Sequence, residues 1–273
     1  MVRRCRCQRQ PHAKQTNRPA RDKGHLRVHL SSAPDDQDSA TGVGSMLNPA
    51  IGLLGGTFDP IHIGHLRPAI EAQQALSLAE IRLIPNHIPP HRANPFCSSE
   101  QRLAMVRLAA AENPGFVVDE RELRRERPSY TIETLIELRS ELPDTPLCFL
   151  MGMDSLLSLP SWHRWQALLD HAHLVVSGRP GWQPDYPAPV AELLARHQTR
   201  DPGALHQHLA GHIWLADNLP IHLSATALRE LLAKGQDPRY LLPASVAHYI
   251  DQQGLYRASA KIPLASPTQP GRK

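Results

Sequence analysis

The chain is expected to fold as an α/β protein: a doubly wound parallel sheet with a small helical portion toward its C-terminal end. Three observations lead there. Short unbroken apolar runs recur between residues 51 and 215, segments with helical apolar spacing fall between them, and a Gly-Gly step joins the first run to its helix. Unbroken apolar runs suit strands covered on both faces. A repeated strand-then-helix order gives a parallel sheet with ligands at the carboxyl ends of its strands.

Taken in order, the first strand is expected at 51–54 and its helix at 65–76, with Gly55-Gly56 turning the chain between them and Phe58, Asp59 and Pro60 setting the turn's shape. An apolar run at 81–84 is the second strand, and 99–112 a helix. Residues 116–118 make a short third strand, and 131–141 a helix opening on Thr131. The run 147–151 is the next strand. Residues 162–170 carry helical spacing, 174–177 and 213–215 are strands, and 189–196 is a helix. Two C-terminal helices, 225–234 and 244–253, close the body. Ser224 is placed to cap the first of them, and Gly235 to stop it.

Charge is distributed unevenly. Residues 1–46 hold nine Lys/Arg against four Asp, and the remaining chain holds 21 against 22, so the formal charge of +4 belongs to the extension. A near-neutral body with local Arg and His fits a small anionic substrate better than nucleic acid. Residues 1–46 lack a periodic apolar pattern and are expected to be a disordered basic extension, with Met46 a candidate alternative start. Residues 258–273 are expected to be a disordered tail, which leaves 47–257 as the folded domain. No apolar run approaches the roughly 20 residues that span a bilayer, and no apolar leader precedes the body. The four cysteines have neither disulfide nor zinc spacing. A cytoplasmic protein is the expectation, as a monomer or small homo-oligomer.

Chemistry concentrates in Gly55-Gly56-Thr57-Phe58-Asp59-Pro60-Ile61-His62-Ile63-Gly64-His65. A strand end followed by a helix N-terminus is an anion site, because the first helical N–H groups are unpaired. His62 and His65, three apart at that helix start, can share one side and serve as donors to a phosphoryl group. The remaining histidines, including His171, His173, His206, His208 and His212, lack the acid or cysteine that would complete a metal set, so no protein metal site is expected.

The segment resembles the HxGH signature of the nucleotidyltransferase superfamily, whose Rossmann-like fold is shared with class I aminoacyl-tRNA synthetases. The superfamily's second mark, a Ser/Thr-rich helix start followed by Arg, has its counterpart in Leu223-Ser224-Ala225-Thr226-Ala227-Leu228-Arg229. Stretches between and beyond them resemble bacterial nicotinate-nucleotide adenylyltransferases. These include Ile84-Pro85-Asn86-His87-Ile88-Pro89-Pro90-His91-Arg92, Pro128-Ser129-Tyr130-Thr131, Gly152-Met153-Asp154-Ser155 and Leu159-Pro160-Ser161-Trp162-His163-Arg164-Trp165. Leu241-Leu242-Pro243 and Gln253-Gly254-Leu255-Tyr256 extend the likeness to the end of the body. No Lys-Met-Ser-Lys-Ser-like loop accompanies them, which sets the synthetases aside.

The resemblance implies transfer of the adenylyl group of ATP to nicotinate mononucleotide, giving deamido-NAD and pyrophosphate, with Mg²⁺ accompanying ATP. It implies catalytic roles for His62, His65 and Arg229. ATP contacts would come from Gly55, Gly56, Thr57, Phe58, Gly152, Asp154, Ser224 and Thr226. The mononucleotide would meet His91, Arg92, Thr131, Trp162 and His163. Alternatives stand beside several of these: Asp154 as a helix N-cap, Trp162 as core, and His91-Arg92 as plain surface loop. Two departures are visible, His163 where the family often has Tyr, and Ala225 where a second serine is usual. Related acceptors, a silent nucleotide sensor, and polynucleotide binding through the extension are the competing readings.

Overall fold

A computed structural model describes residues 47–87, 95–178, 185–216 and 221–257. The expected extension 1–46, the tail 258–273 and the pair His91 and Arg92 lie outside the described residues. The chain divides into two units, Met1–Gly44 and Ser45–Lys273, and every described residue belongs to the second.

The first half runs β1 (Ile51–Gly56), α1 (Ile63–Ala75), β2 (Ile81–Pro85), α2 (Ser99–Ala111) and β3 (Phe116–Val118). A 3₁₀ turn at Arg121–Arg124 leads to α3 (Thr131–Glu141), β4 (Leu147–Gly152) and the short α4 (Met153–Leu157). Two more 3₁₀ turns, Leu159–Ser161 and Trp165–Ala167, precede α5 (Leu168–His171) and β5 (His173–Ser177). The chain then forms α6 (Ala188–His197), β6 (Gln198–Thr199), α7 (Ala204–Gln207) and β7 (Ile213–Ala216). It ends in α8 (Ala225–Ala233) and α9 (Ala244–Gln252).

The strands form one seven-stranded sheet in the order β3-β2-β1-β4-β5-β7-β6, with every pairing parallel. Strand order reverses between β1 and β4. That topological switch point is where a doubly wound sheet opens a crevice for ligands.

The apolar runs sort by alternation. In β4, Cys148 and Leu150 join one core, with Leu66, Ala69 and Ala72 of α1, Met105 and Val106 of α2, Leu228 of α8, and Val246 and Ile250 of α9. Leu147, Phe149 and Met151 join the other, with Ile132, Leu135 and Leu138 of α3, Leu156 of α4 and Leu168 of α5. Side chains of a strand point alternately to its two faces, so a strand buried on both reads as one continuous apolar run. Gly52 of β1 is required by packing: a Cβ there would lie 2.3 Å from Ile81 Cδ1.

Several expectations are corrected. Gly55 and Gly56 do not form the turn; they extend β1 and pair with Ile84 and Pro85 of β2. The chain turns later, through Phe58 at φ 50° and the cis Asp59-Pro60 bond. The helix expected at 162–170 is broken. Trp162 is extended, Arg164 sits at φ 50° and ψ 39°, and only Leu168–His171 is α-helical. Trp162, Trp165 and Leu168 are three apart, a spacing that fits the 3.0-residue turn as well as it fits the α-helix. The pieces α4, β6 and α7 were too short to carry a period and went unread. Ser224 does cap α8, accepting the Ala227 N–H at 3.2 Å, and Gly235 follows it at φ 67°.

Candidate active site

The end of β1 and the start of α1 are tightly built. His62 is the N-cap residue of α1, in an extended conformation, and its backbone N–H donates to His65 Nδ1 at 3.3 Å. The two imidazoles stack, with centroids 3.8 Å apart and planes 25° from parallel. The Phe58 ring meets His65 edge-on at 5.2 Å. Gly64 lies beneath His62: a Cβ there would be 2.9 Å from His62 Nδ1 and 3.1 Å from the Leu223 carbonyl. The glycine of the His-x-Gly-His sequence therefore lets one histidine fold back over the helix start, and lets the segment before α8 approach.

His62 is 3 % exposed, and burial pushes its imidazole down to about 4, so it is neutral at pH 7. Both its ring nitrogens are buried without a hydrogen-bond partner among the described residues. A native protein rarely leaves buried polar atoms unpaired, and where it does a ligand is a standing explanation. His65 is half-buried, and the bond its Nδ1 accepts favours the tautomer with the proton on Nε2.

The downstream motif docks against the same turn. Arg229 of α8 donates from Nη1 to the Asp59 carbonyl at 2.7 Å and from Nη2 to Thr226 Oγ1 at 3.2 Å. Its guanidinium lies 4.6 Å from the centroid of the exposed Phe96 ring, a cation–π contact, while its Nε is buried and unpartnered. Ser224 and Thr226 are exposed on the first turn of α8. Thus His62, His65, Thr226 and Arg229, separated by some 160 residues of chain, are brought to one place.

At the switch point the strand ends are open. Gly55 at the end of β1 and Gly152 at the end of β4 are exposed, and Gly152 precedes the exposed Asp154 in the first turn of α4. Gly152 itself is the N-cap residue of that helix, so Asp154 is not its cap. The Phe149 ring is 3.6 Å from where a Gly55 Cβ would stand, and Trp162 meets Phe149 edge-on at 6.3 Å. His163 is exposed and its ring lies 4.6 Å from that of Tyr130, the residue before Thr131 at the start of α3. Thr131, Trp162 and His163 therefore gather on the β4 side of the crevice, linked to β1 through Phe149. Trp162 is half-buried and packs against the core that contains Phe149.

Sequence reasoning missed the supports beneath this surface. Arg102 of α2 is 0 % exposed and donates to the Thr57 carbonyl at 2.7 Å, the His87 carbonyl at 3.0 Å and Ser99 Oγ at 3.1 Å. Burial lowers its pKa, but an arginine keeps its charge at neutral pH, so a cation lies directly under the strand-to-helix connection. The signal was present: Arg102 falls on the same stripe as the buried Met105, Val106 and Ala109, where a charge has no ordinary place. Asn86 donates to Thr57 Oγ1 at 3.3 Å. Asp59, read from sequence only as a shaper of the turn, accepts the Phe96 N–H at 2.7 Å and the Tyr256 hydroxyl at 2.6 Å.

Comparison with known proteins identifies this architecture. The family model for cytidylyltransferase-like proteins matches residues 53–231. A protein of Aeromonas salmonicida (strain A449) named "Probable nicotinate-nucleotide adenylyltransferase" is 85 % identical over 213 residues, covering 78 % of this chain and 100 % of that one. A protein of the same name from Psychromonas ingrahamii is 48 % identical over 208 residues, covering 76 % and 97 %. Among solved structures, Plasmodium falciparum nicotinic acid mononucleotide adenylyltransferase complexed with NaAD has the same fold. Its TM-score is 0.59 at 15 % identity, covering 77 % of this chain and 98 % of that one. With a relative this similar matched end to end, and with both halves of the nucleotidyltransferase signature meeting at the switch point, the chain belongs to the nicotinate-nucleotide adenylyltransferase family.

Proposed function

We propose that the protein transfers the adenylyl group of ATP to nicotinate mononucleotide, releasing pyrophosphate and forming deamido-NAD. The observation that carries this reading is the buried His62, its two ring nitrogens without a hydrogen-bond partner among the described residues, stacked on His65 in the turn that also holds Arg229. Relatives at high identity bear the name of this activity.

An oxygen of the mononucleotide 5′-phosphate attacks the α-phosphorus of ATP, and the bond from that phosphorus to the bridging oxygen of pyrophosphate breaks. An ionised phosphate is already a nucleophile, so the protein needs no general base and forms no covalent intermediate. Its task is alignment and charge stabilisation. His65 Nε2–H and the neutral His62 ring donate to the phosphate oxygens, Arg229 holds the β and γ phosphates, and the first N–H groups of α1 add a favourable field. Ser224 and Thr226 line the phosphate side. Gly55, Gly56, Thr57 and Phe58 let the backbone come close, and Gly152 and Asp154 receive the adenosine. Trp162 stacks on the pyridine, and the N–H of Thr131 holds its carboxylate with His163 beside it. That assignment is supported by the gathering of these residues around Phe149 and Tyr130.

Among the described residues no three His, Cys, Asp or Glu side chains are grouped to hold a metal ion. Mg²⁺ would accompany the ATP substrate as its phosphate complex, bound chiefly through phosphate oxygens and water. Cys97 and Cys148 are buried free thiols, which supports a cytoplasmic location. The reading is tested by pyrophosphate release from ATP with the acid and amide mononucleotides in turn. Release with the acid form at a much higher kcat/KM is expected; equal values would sink the nicotinate assignment.

A further inference from the structure

Tyr256 stands almost at the end of the described chain, far in sequence from either half of the signature. After α9 the backbone turns left-handed at Gly254 (φ 61°), with the Leu255 N–H donating to the Ile250 carbonyl at 3.0 Å, and turns so again at Tyr256 (φ 60°). A tyrosine in that region is unfavourable and persists only where its surroundings hold it. Here the hold is visible: the Tyr256 hydroxyl donates to Asp59 Oδ1 at 2.6 Å. The other carboxylate oxygen, Oδ2, accepts the Phe96 N–H at 2.7 Å.

Asp59 is 4 % exposed and sits between the left-handed Phe58 and the cis bond to Pro60. Its side chain is thus fixed at both oxygens, and its own carbonyl is the acceptor for Arg229 Nη1 at 2.7 Å. Phe96, anchored by its N–H to the same carboxylate, covers the Arg229 guanidinium with its ring. The two contacts that hold the Asp59 carboxylate therefore bear on Arg229 through the carbonyl of the same residue. Burial and the bond to Asp59 hold the phenol protonated, so the donor is always present.

We infer that Tyr256 and Asp59 are positioning residues that aim Arg229 at the ATP phosphates, so that the C-terminal turn of the chain is part of the phosphate-binding machinery. This rests on the adenylyl-transfer reading above, but it can fail separately. The experiment compares wild type, Tyr256→Phe, Arg229→Lys and the double variant in steady-state pyrophosphate release, varying each substrate in turn. Tyr256→Phe keeps the ring and removes only the donor. It is expected to lower kcat about tenfold and raise the ATP KM several-fold, while the nicotinate-mononucleotide KM moves less than about twofold.

Arg229→Lys is expected to cost much less in the Tyr256→Phe background than in wild type, because residues acting through one another are not additive. Wild-type kinetics for Tyr256→Phe, equal changes in both KM values, or additive losses would overturn the inference. Should Tyr256→Phe not fold at the assay temperature, Asp59→Asn carries the same two readouts. Unfolding of both even at low temperature would also overturn it, by making the network a folding element. Absence of wild-type activity would instead overturn the functional reading.

Discussion

His62 and His65 stand three residues apart and stack on one another, yet their surroundings give them different properties. His62 is enclosed and held neutral by desolvation, while His65 is half-buried at the helix start with Nδ1 already engaged. The replacement His65→Ala is expected to reduce turnover by about a hundredfold or more, as removal of a preorganised transition-state donor does. Thermal unfolding should move by only a few degrees. Near-normal turnover would exclude the donor role. On the other side of the crevice, Trp162→Ala should raise the KM for nicotinate mononucleotide more than that for ATP, measured by varying each substrate in turn. An equal rise in both would assign the ring to packing on Phe149 alone. Buried Arg102 makes a third case. Its hydrogen bonds to the Thr57 and His87 carbonyls and to Ser99 Oγ were invisible from the chain, although its place on an apolar stripe was readable.

Elements meet at single atoms here, and glycine decides whether they can. Gly64 admits both His62 Nδ1 and the Leu223 carbonyl at distances a methyl group would violate. In Gly64→Ala, α1 and the segment before α8 must separate by several tenths of an ångström. The expected outcome is a loss of about 1–3 kcal/mol in denaturant unfolding, as overpacking costs, together with a fall in kcat/KM for ATP of tenfold or more. Unchanged values for both would show that the two elements have slack. The N-cap of α8 is a milder test at the same scale. Ser224→Ala removes the acceptor for the Ala227 N–H and should cost about 1 kcal/mol, read in the same unfolding experiment. The serine cap follows from a local rule; the approach of Leu223 to Gly64 does not. The failed helix at 162–170 marks the limit of such rules, since a left-handed Arg164 between two aromatic residues has no signature in a single sequence.

For the molecule as a whole, stability is tied to pH through its enclosed imidazoles. His173 is fully buried; its Nδ1 accepts the His212 N–H at 3.1 Å and its Nε2 donates to the His208 carbonyl at 2.8 Å. Burial lowers its pKa to about 4, as it does for His62. A histidine whose folded pKa lies below its unfolded value of about 6.5 binds fewer protons when folded. Its contribution is therefore fully present above pH 6.5 and is lost as the pH falls through 4. For His173 the loss amounts to about 3 kcal/mol. Chemical denaturation followed from pH 7 to pH 4 should show this decline, and His173→Gln should flatten it. A variant as acid-sensitive as the wild type would take the decline away from His173 and assign it to His62 and carboxylates.

The alternation of buried strands and covering helices, the parallel sheet, and the identity of both signature halves were legible in the chain. Each of these is written in neighbouring residues: apolar runs, capping serines, and histidines three apart. Where the chain leaves β1, which carbonyl receives Arg229, and how Arg102, Asp59, Phe96 and Tyr256 support the site emerge only once the chain is folded. Apart from the Arg102 bonds to Ser99 and His87, those hydrogen bonds join residues 37 to 197 positions apart, and no local spacing encodes one formed when α9 packs back against α2 and delivers the Tyr256 hydroxyl to Asp59.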